Sequence, residues 1–231
     1  MSQDQFDIAI HKTIRSGKRS FRLDVNIASA SARLVIAGPS GAGKSLTLKA
    51  IAGLLTPDQG HIRVRGETLF DSAQGINTSP QARRLAYVFQ DYALFPHLNV
   101  RQNIAFGLST GWRNPGTNVE HPDLTRWLQA FQLEQVAHQF PDQLSGGQRQ
   151  RTALARALVG KPRALLLDEP FAALDTALRA SLRDELRDVL QELAMPMILI
   201  THDESDVRAL GGDVVHLADG KVAARSSTEA P

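Results

Sequence analysis

Apolar and polar positions change period several times along the chain, and each change predicts an element. Residues 6–14 alternate weakly, as does Phe21-Arg22-Leu23-Asp24-Val25-Asn26-Ile27. A period of two describes strands with one wet face, and Ser16-Gly17-Lys18 between them predicts a hairpin. Leu34-Val35-Ile36-Ala37 is instead a continuous apolar run, which reads as a buried strand. The period then moves to about 3.6 in Leu46, Leu48, Ile51, Ala52 and Leu55, the pattern of a helix. Thr56-Pro57-Asp58-Gln59-Gly60 is a turn signal, and 61–66 alternates again as a half-exposed antiparallel strand. Ser79-Pro80 marks a break before 85–89, a buried strand ending at Gln90.

From 91 to 161 the pattern is helical. Residues 100–108 and 124–140 carry apolar side chains at helical spacing, and a third helix is predicted over 147–159. Between the first two, 109–122 is rich in Gly, Asn, Pro and Thr and reads as a surface loop. The stretch reads as an inserted helical subdomain. Strand and helix then alternate: 164–167 as strand, 177–193 as helix, 197–201 as strand. In that helix Leu178, Leu182, Leu186, Val189, Leu190 and Leu193 line one face. Residues 213–217 and 221–224, split by Asp219-Gly220, predict a terminal hairpin, with 226–231 frayed beyond it. Such alternation implies an α/β fold with a mainly parallel core sheet. There is no internal repeat.

Composition narrows the classes. The 231 residues are 42% apolar and 22% charged, a globular balance. A net charge of +2 gives no electrostatic case for nucleic acid as a partner. The absence of cysteine excludes disulfides, thiolate metal sites and cysteine nucleophiles. The polar start, Met1-Ser2-Gln3-Asp4-Gln5, does not read as a signal peptide, and no run reaches the ~18 apolar residues of a membrane span. Any membrane role is expected to come through a partner.

The strongest chemical signal is Gly38-Pro39-Ser40-Gly41-Ala42-Gly43-Lys44-Ser45, which fits the phosphate-binding pattern G-x-x-x-x-G-K-[ST] between a buried strand and a helix. Glycines let the backbone curl so that successive N–H groups face phosphate oxygens. The helix N-terminus adds unpaired N–H groups and the positive dipole end. Lys44 can set a point charge on the outer phosphates, and the Ser45 hydroxyl can ligate Mg2+.

Two further motifs suit that loop. Leu165-Leu166-Leu167-Asp168-Glu169 delivers two carboxylates at the C-terminal end of an apolar strand, where ligands of open α/β sheets bind. An aspartate there can hold Mg2+ through water, and a glutamate beside it can take a proton from a water attacking the γ-phosphate. Leu144-Ser145-Gly146-Gly147-Gln148 opens a helix with small residues that let an anion approach the backbone. The simpler reading of that stretch is a Ser N-cap with Gly in the first turn.

With these residues the chain resembles the nucleotide-binding subunit of an ABC transporter, over nearly its whole length and with the family's motifs in order. They are Walker A at 38–45, the Q-loop Gln90, the signature 144–148, and Walker B ending at Asp168. Glu169, the D-loop Ala172-Ala173-Leu174-Asp175 and the switch His202 follow. The resemblance implies a P-loop NTPase ABC cassette with an N-terminal antiparallel β-subdomain. It implies one domain over 1–225, with 91–161 as the inserted signature subdomain. It implies ATP and Mg2+ as cofactors, with Gly38, Pro39, Ser40, Gly41, Ala42, Gly43, Lys44 and Ser45 on the phosphates. Ser45 and Gln90 would ligate the metal, with Asp168 helping through water. Glu169 would be the general base, His202 would contact the γ-phosphate and hold the attacking water in line, and Lys44 would bind the β- and γ-phosphates. Ser145, Gly146, Gly147 and Gln148 of a second, head-to-tail copy would close the ATP site, and Asp175 would link the two sites.

The implied partners are that second copy, a transmembrane permease touching the region after Gln90, and a substrate-binding protein at one remove, at the cytoplasmic face of the cell membrane. Asp91-Tyr92-Ala93-Leu94-Phe95-Pro96-His97-Leu98 resembles the segment with which importer ATPases grip their permease; packing at a subdomain junction is the alternative. Residues 75–84 running into Tyr87-Val88-Phe89-Gln90-Asp91 resemble molybdate importers. Sulfate, polyamine, sugar and iron importers, or a soluble ABC-type ATPase of DNA repair or translation, are the alternatives. Most molybdate-type subunits also carry a C-terminal oxyanion-binding domain, and the chain stops near where that would begin. Two departures from the family stand out. No aromatic precedes Walker A at the usual adenine-stacking place, leaving Arg15 or Phe21 as candidates, and Leu46 stands where a hydroxyl is common, with Thr47 next along.

Overall fold

The computed structural model describes residues 4–17, 19–108, 113–172 and 174–228. The architecture follows from strands of two kinds. The half-polar ones pair antiparallel: β1 (Phe6–Ser16) with β2 (Arg19–Ser29), and β1 with β4 (Gln59–Val64). The continuous apolar ones pair parallel. These are β3 (Arg33–Ala37), β7 (Leu85–Val88), β8 (Ala164–Asp168) and β9 (Met197–Ile200), and they lie side by side in the order β3-β9-β8-β7. All five residues of β8 and all four of β9 are buried, as strands covered on both faces require.

The two kinds join in one eleven-stranded sheet among the described residues. The join is made by the hairpin of β10 (Gly212–Ala218) and β11 (Lys221–Thr228). β10 runs parallel to β3, and β11 touches β2 at the pair Lys221 and Asp24. Because side chains alternate across each strand, β3, β8 and β9 feed two cores. Leu34, Ile36, Leu166 and Ile198 join the face that packs on Leu48 and Ile51 of α1 (Lys44–Ala52) and on the inner face of the β1–β2 hairpin. Val35, Leu165, Leu167 and Leu199 join the opposite face, with α3 (Val100–Phe106), α4 (Pro122–Ala130), α5 (Gly146–Val159) and α6 (Thr176–Glu192). The helix that follows the glycine loop is therefore clasped between the parallel strands and the antiparallel hairpin.

The structure corrects several sequence expectations. The stretch 124–140 is not one helix. α4 ends at Ala130, Gln132 takes a left-handed φ of 53°, and single 3-10 turns follow at Glu134–Val136 and Pro141–Gln143. The apolar spacing continues through the break because Leu133, Val136 and Ala137 still face the core. Pro122 belongs to α4, at the first turn where proline is tolerated, and 109–112 lie outside the described residues. The tail expected to fray at 226 remains in β11 through Thr228, because Ser226, Ser227 and Thr228 pair with Val214, Asp213 and Gly212. Four short elements carried no readable period: β5 (Glu67–Asp71), β6 (Ile76–Asn77), α2 (Pro80–Arg83) and α7 (Glu204–Leu210).

The end of α1 is fastened by a side chain from α2. Arg83 is 0% exposed. Its guanidinium donates to the carbonyls of Ala50 and Ile51 at 2.8 and 2.7 Å, to Thr78 O at 2.9 Å and to Asn77 Oδ1 at 3.2 Å. The last carbonyls of a helix lack intrahelical donors, and here a buried cation supplies them. Arg83→Ala takes away the side-chain donor of the Ile51 carbonyl, while Ala50 O keeps the Gly53 N–H at 3.1 Å. It is expected to lower stability by roughly 2–4 kcal/mol, read as a lower urea midpoint at unchanged slope.

Candidate functional site

The glycine loop folds as its glycines demand. Gly43 takes φ 99° and ends the loop as the N-cap of α1; a Cβ there would meet Leu23 Cδ1 at 2.7 Å and the Phe21 ring at 3.2 Å. Gly38, at φ 142°, runs so close to β10 that a Cβ would lie 2.2 Å from the Leu217 carbonyl oxygen. Lys44 is buried, and its Nζ donates to the carbonyls of Gly38 and Pro39 at 2.9 and 3.0 Å. The ammonium thus sits inside the curl of the loop. Thr47 does not supply the hydroxyl missing at Leu46: it is buried and bonds back to Gly43 O at 3.0 Å.

Parallel strands bring the remaining groups to the same edge. Asp168, at the end of β8, accepts from Ser45 Oγ at 2.9 Å on one oxygen and from the Tyr87 phenol at 2.7 Å on the other. Burial first, and then the bond to this carboxylate, push the Tyr87 pKa well above its ordinary value, so the phenol remains a donor. Next in the chain, Glu169 takes a left-handed φ of 47°, a conformation that costs a non-glycine residue roughly 1–3 kcal/mol. That turn aims its carboxylate at His202, 3.2 Å from Oε2 to Nδ1, beyond the end of β9. The His202 side chain is 60% exposed and Glu169 only 21%, so the pair has one sheltered and one open member.

Two clefts meet around the loop. One, of about 290 Å³, is lined by Ser40, Gly41, Gly43, Lys44, Ser45, Leu46, Gln90 and Glu169. The other, of about 610 Å³, is lined by Ser45, Lys49, Phe89, Gln90, Asp91, Asp168 and Ala172. Gln90 and Ser45 border both. An anion at the loop would thus have a lysine, a hydroxyl, an amide and two carboxylates within one site. This is the composition for binding a phosphate chain with a hard cation and for activating a water beside it.

Other expected residues lie apart from these clefts. Ser145 caps α5, its hydroxyl accepting from Gln148 N at 3.2 Å while the Gln148 side chain accepts from Ser145 N at 2.8 Å. Within this chain 144–148 borders neither cleft. A Cβ at Gly147 would come within 2.9 Å of Leu178, so its smallness also serves the packing of α5 on α6. Asp175 caps α6, accepting from Leu178 N at 3.0 Å; its D-loop neighbour Ala173 lies outside the described residues. Of 91–98, Tyr92 and Leu98 are core, as a junction requires. Phe95 instead packs at a tilt on Phe106, 4.5 Å between ring centroids, under the Arg156 guanidinium.

Two contributors were not legible as site residues in the sequence. Tyr87 reads there as one more apolar residue of a buried strand, whereas in the structure it is half-buried and its phenol finds a partner in Asp168. Arg179 of α6 pairs with Asp203 and donates to Phe171 O at 3.2 Å, so it ties the loop after Glu169 to the loop after His202. The amide of Ser205, with Arg179, holds the Asp203 carboxyl below its ordinary range.

Comparison with known proteins gives the family and the fold. A family model described as ABC transporter matches residues 22–172. The sulfate/thiosulfate import ATP-binding protein of Synechocystis is 42% identical over 200 residues, covering 86% of this chain and 54% of that protein. The molybdenum import ATP-binding protein of Mycobacterium tuberculosis is 44% identical over 205 residues, covering 87% and 56%. That of Paramagnetospirillum magneticum is 38% identical over 219 residues, covering 94% and 58%. The chain thus spans just over half the length of these relatives. A dimeric ATP-binding cassette in a post-hydrolysis state with ADP and Pi matches with a TM-score of 0.81 at 28% identity, over 99% of this chain and 100% of that one. The chain belongs to the ABC transporter family and has the fold of its ATP-binding cassettes.

Proposed function

We propose that the chain is the ATP-binding and ATP-hydrolysing subunit of an importer that moves a tetrahedral oxyanion, molybdate first, through a membrane permease. The observation that carries this reading is the meeting of Lys44, the Ser45–Asp168 pair and the Glu169–His202 pair at one sheet edge. The names of the molybdenum relatives support the substrate. Sulfate is the second reading, favoured by the Synechocystis relative.

The donors suit Mg2+. Among the described residues no cluster of three or more His, Cys, Asp or Glu is built to hold a metal. Ser45, Gln90 and Asp168 instead offer a few hard oxygens beside a phosphate site, the way Mg2+ is held when phosphates complete its shell. When bound, the ion would neutralise charge on the phosphates. The chain's own residues do the rest. The loop amides of 38–45 and Lys44 hold the phosphates. Glu169 takes the proton of the attacking water, and His202 orients that water through its exposed ring. Phe21, whose ring stands beside Gly43, is our candidate to meet the base in preference to the exposed Arg15.

One copy holds half of this machinery. The signature 144–148 borders neither cleft of its own chain, so we assign it, with Asp175, to the ATP of a second copy facing head to tail. The permease docks on the region after Gln90, where Phe95 packs on Phe106 under Arg156; Phe106 and Arg156 also line a groove of about 620 Å³ between β7 and the helical segment. No helix among the described residues is long and apolar enough to cross a membrane. The cassette is then held at the cytoplasmic face by that permease, with a substrate-binding protein delivering the oxyanion from the other side.

Hydrolysis per chain is expected to rise with protein concentration; a rate independent of dilution would contradict the shared site. Glu169→Gln is expected to slow turnover by about 10²–10⁴ while ATP still binds, leaving an ATP-bound dimer on a sizing column. Lys44→Ala is expected to lose nucleotide binding itself, checked by titration with a fluorescent ATP analogue. Uptake of labelled molybdate and sulfate, in cells with and without the gene, decides between the two oxyanions.

A further inference from the structure

Asp168 is held at both oxygens, and only one of its partners belongs to the phosphate loop. The other, the Tyr87 phenol, comes from the strand on the far side of β8, at 2.7 Å. Its ring packs at a tilt on Phe89 with 4.4 Å between centroids, and Tyr87 and Phe89 are both among the residues that line the groove between β7 and the helical segment. Phe89 in turn borders the cleft that contains Ser45, Gln90 and Asp168. A carboxylate offers about four lone-pair sites, so these two bonds leave room for metal-bound water. They also set which way those lone pairs point. The terminal torsion of an aspartate is broad, and a carboxylate held only by Ser45 is free to swing about that one bond.

We infer that Tyr87 is a positioning residue, whose phenol fixes the Asp168 carboxylate in the orientation that receives the hydrated Mg2+ of the nucleotide. This role rests on the ATPase reading above. It differs from a packing role, in which the hydroxyl only finds a partner because it is buried. A packing role would change stability and leave metal dependence alone. A positioning role acts on the metal-dependent part of nucleotide binding and spares the part made by the loop and Lys44.

The test is a titration of the purified chain with trinitrophenyl-ATP, in EDTA and across a range of Mg2+. Tyr87→Phe keeps the ring and removes the hydroxyl. It is expected to leave affinity in EDTA unchanged and to raise the Mg2+ concentration for half-maximal tightening by about tenfold, the lower end of what losing a hydrogen bond to a metal-site carboxylate costs. In an Asp168→Asn background the same substitution is expected to change nothing further. A Tyr87→Phe chain with wild-type Mg2+ dependence would overturn the role, as would an equal loss with and without metal, or an additive loss in the Asp168→Asn background. A wild-type chain that shows no Mg2+-dependent nucleotide binding would overturn this role together with the ATPase reading. Normal binding there with no Tyr87→Phe effect would overturn the role alone.

Discussion

One carboxylate held by two hydroxyls is the point on which the site depends. Asp168 bonds Ser45 at the start of α1 and Tyr87 on β7, so a single side chain ties the phosphate loop to the strand that leads into Gln90. That geometry is available only because β7, β8 and β9 run parallel and end at one edge. Parallel strands need cover on both faces, and the two cores supply it, with α1 and the hairpin on one side and α3 to α6 on the other. The clasp around α1 therefore does more than bury apolar surface. It fixes the N-terminus of that helix against the β8 edge, and Arg83 fastens the opposite end.

The site also shows where local preference is overridden. Glu169 is bent into a left-handed conformation that no propensity favours for glutamate, and the bend points it at His202. Strain of that kind persists only where the surroundings over-determine it. Here the Glu169 amide donates to Ile200 O at 3.0 Å, which continues the β8–β9 pairing one residue past the strand, while Arg179 braces the two loops from α6. The signature segment is different. Its Ser145 and Gln148 form a reciprocal cap and Gly147 allows close helix packing, so its local chemistry is fully accounted for within the chain. That self-sufficiency leaves its outward face unengaged by its own phosphate loop.

Much of this was legible in the sequence, for identifiable reasons. Leu34-Val35-Ile36-Ala37 and Leu165-Leu166-Leu167 are continuous apolar runs because both their faces are covered, and the glycine loop is a literal pattern whose φ values admit few other residues. The motif side chains Lys44, Ser45, Gln90, Asp168 and Glu169 do border the paired clefts. What escaped was either short or tertiary. β6 has two residues, too few for any period, and the break at Gln132 is hidden because the following side chains still face the core. Tyr87 escaped because its meaning lies in register. Only once β7 is laid beside β8 does a phenol in an apolar strand come within reach of Asp168.

The position of Tyr87 bears on how a partner in the groove and a nucleotide in the cleft influence each other. Coupling between sites needs a physical element that both touch, and spatial closeness alone does not supply one. Here that element is small: Tyr87, which is among the residues lining the groove and whose hydroxyl bonds the carboxylate beside Ser45. While the 2.7 Å bond persists, a shift of the tilted Tyr87–Phe89 pair must also move Asp168 or break its bond to the phenol. Either change alters the orientation in which the loop's hydroxyl and the carboxylate meet a cation. The groove and the cleft at Asp168 thus share one residue, Phe89, which directly follows β7.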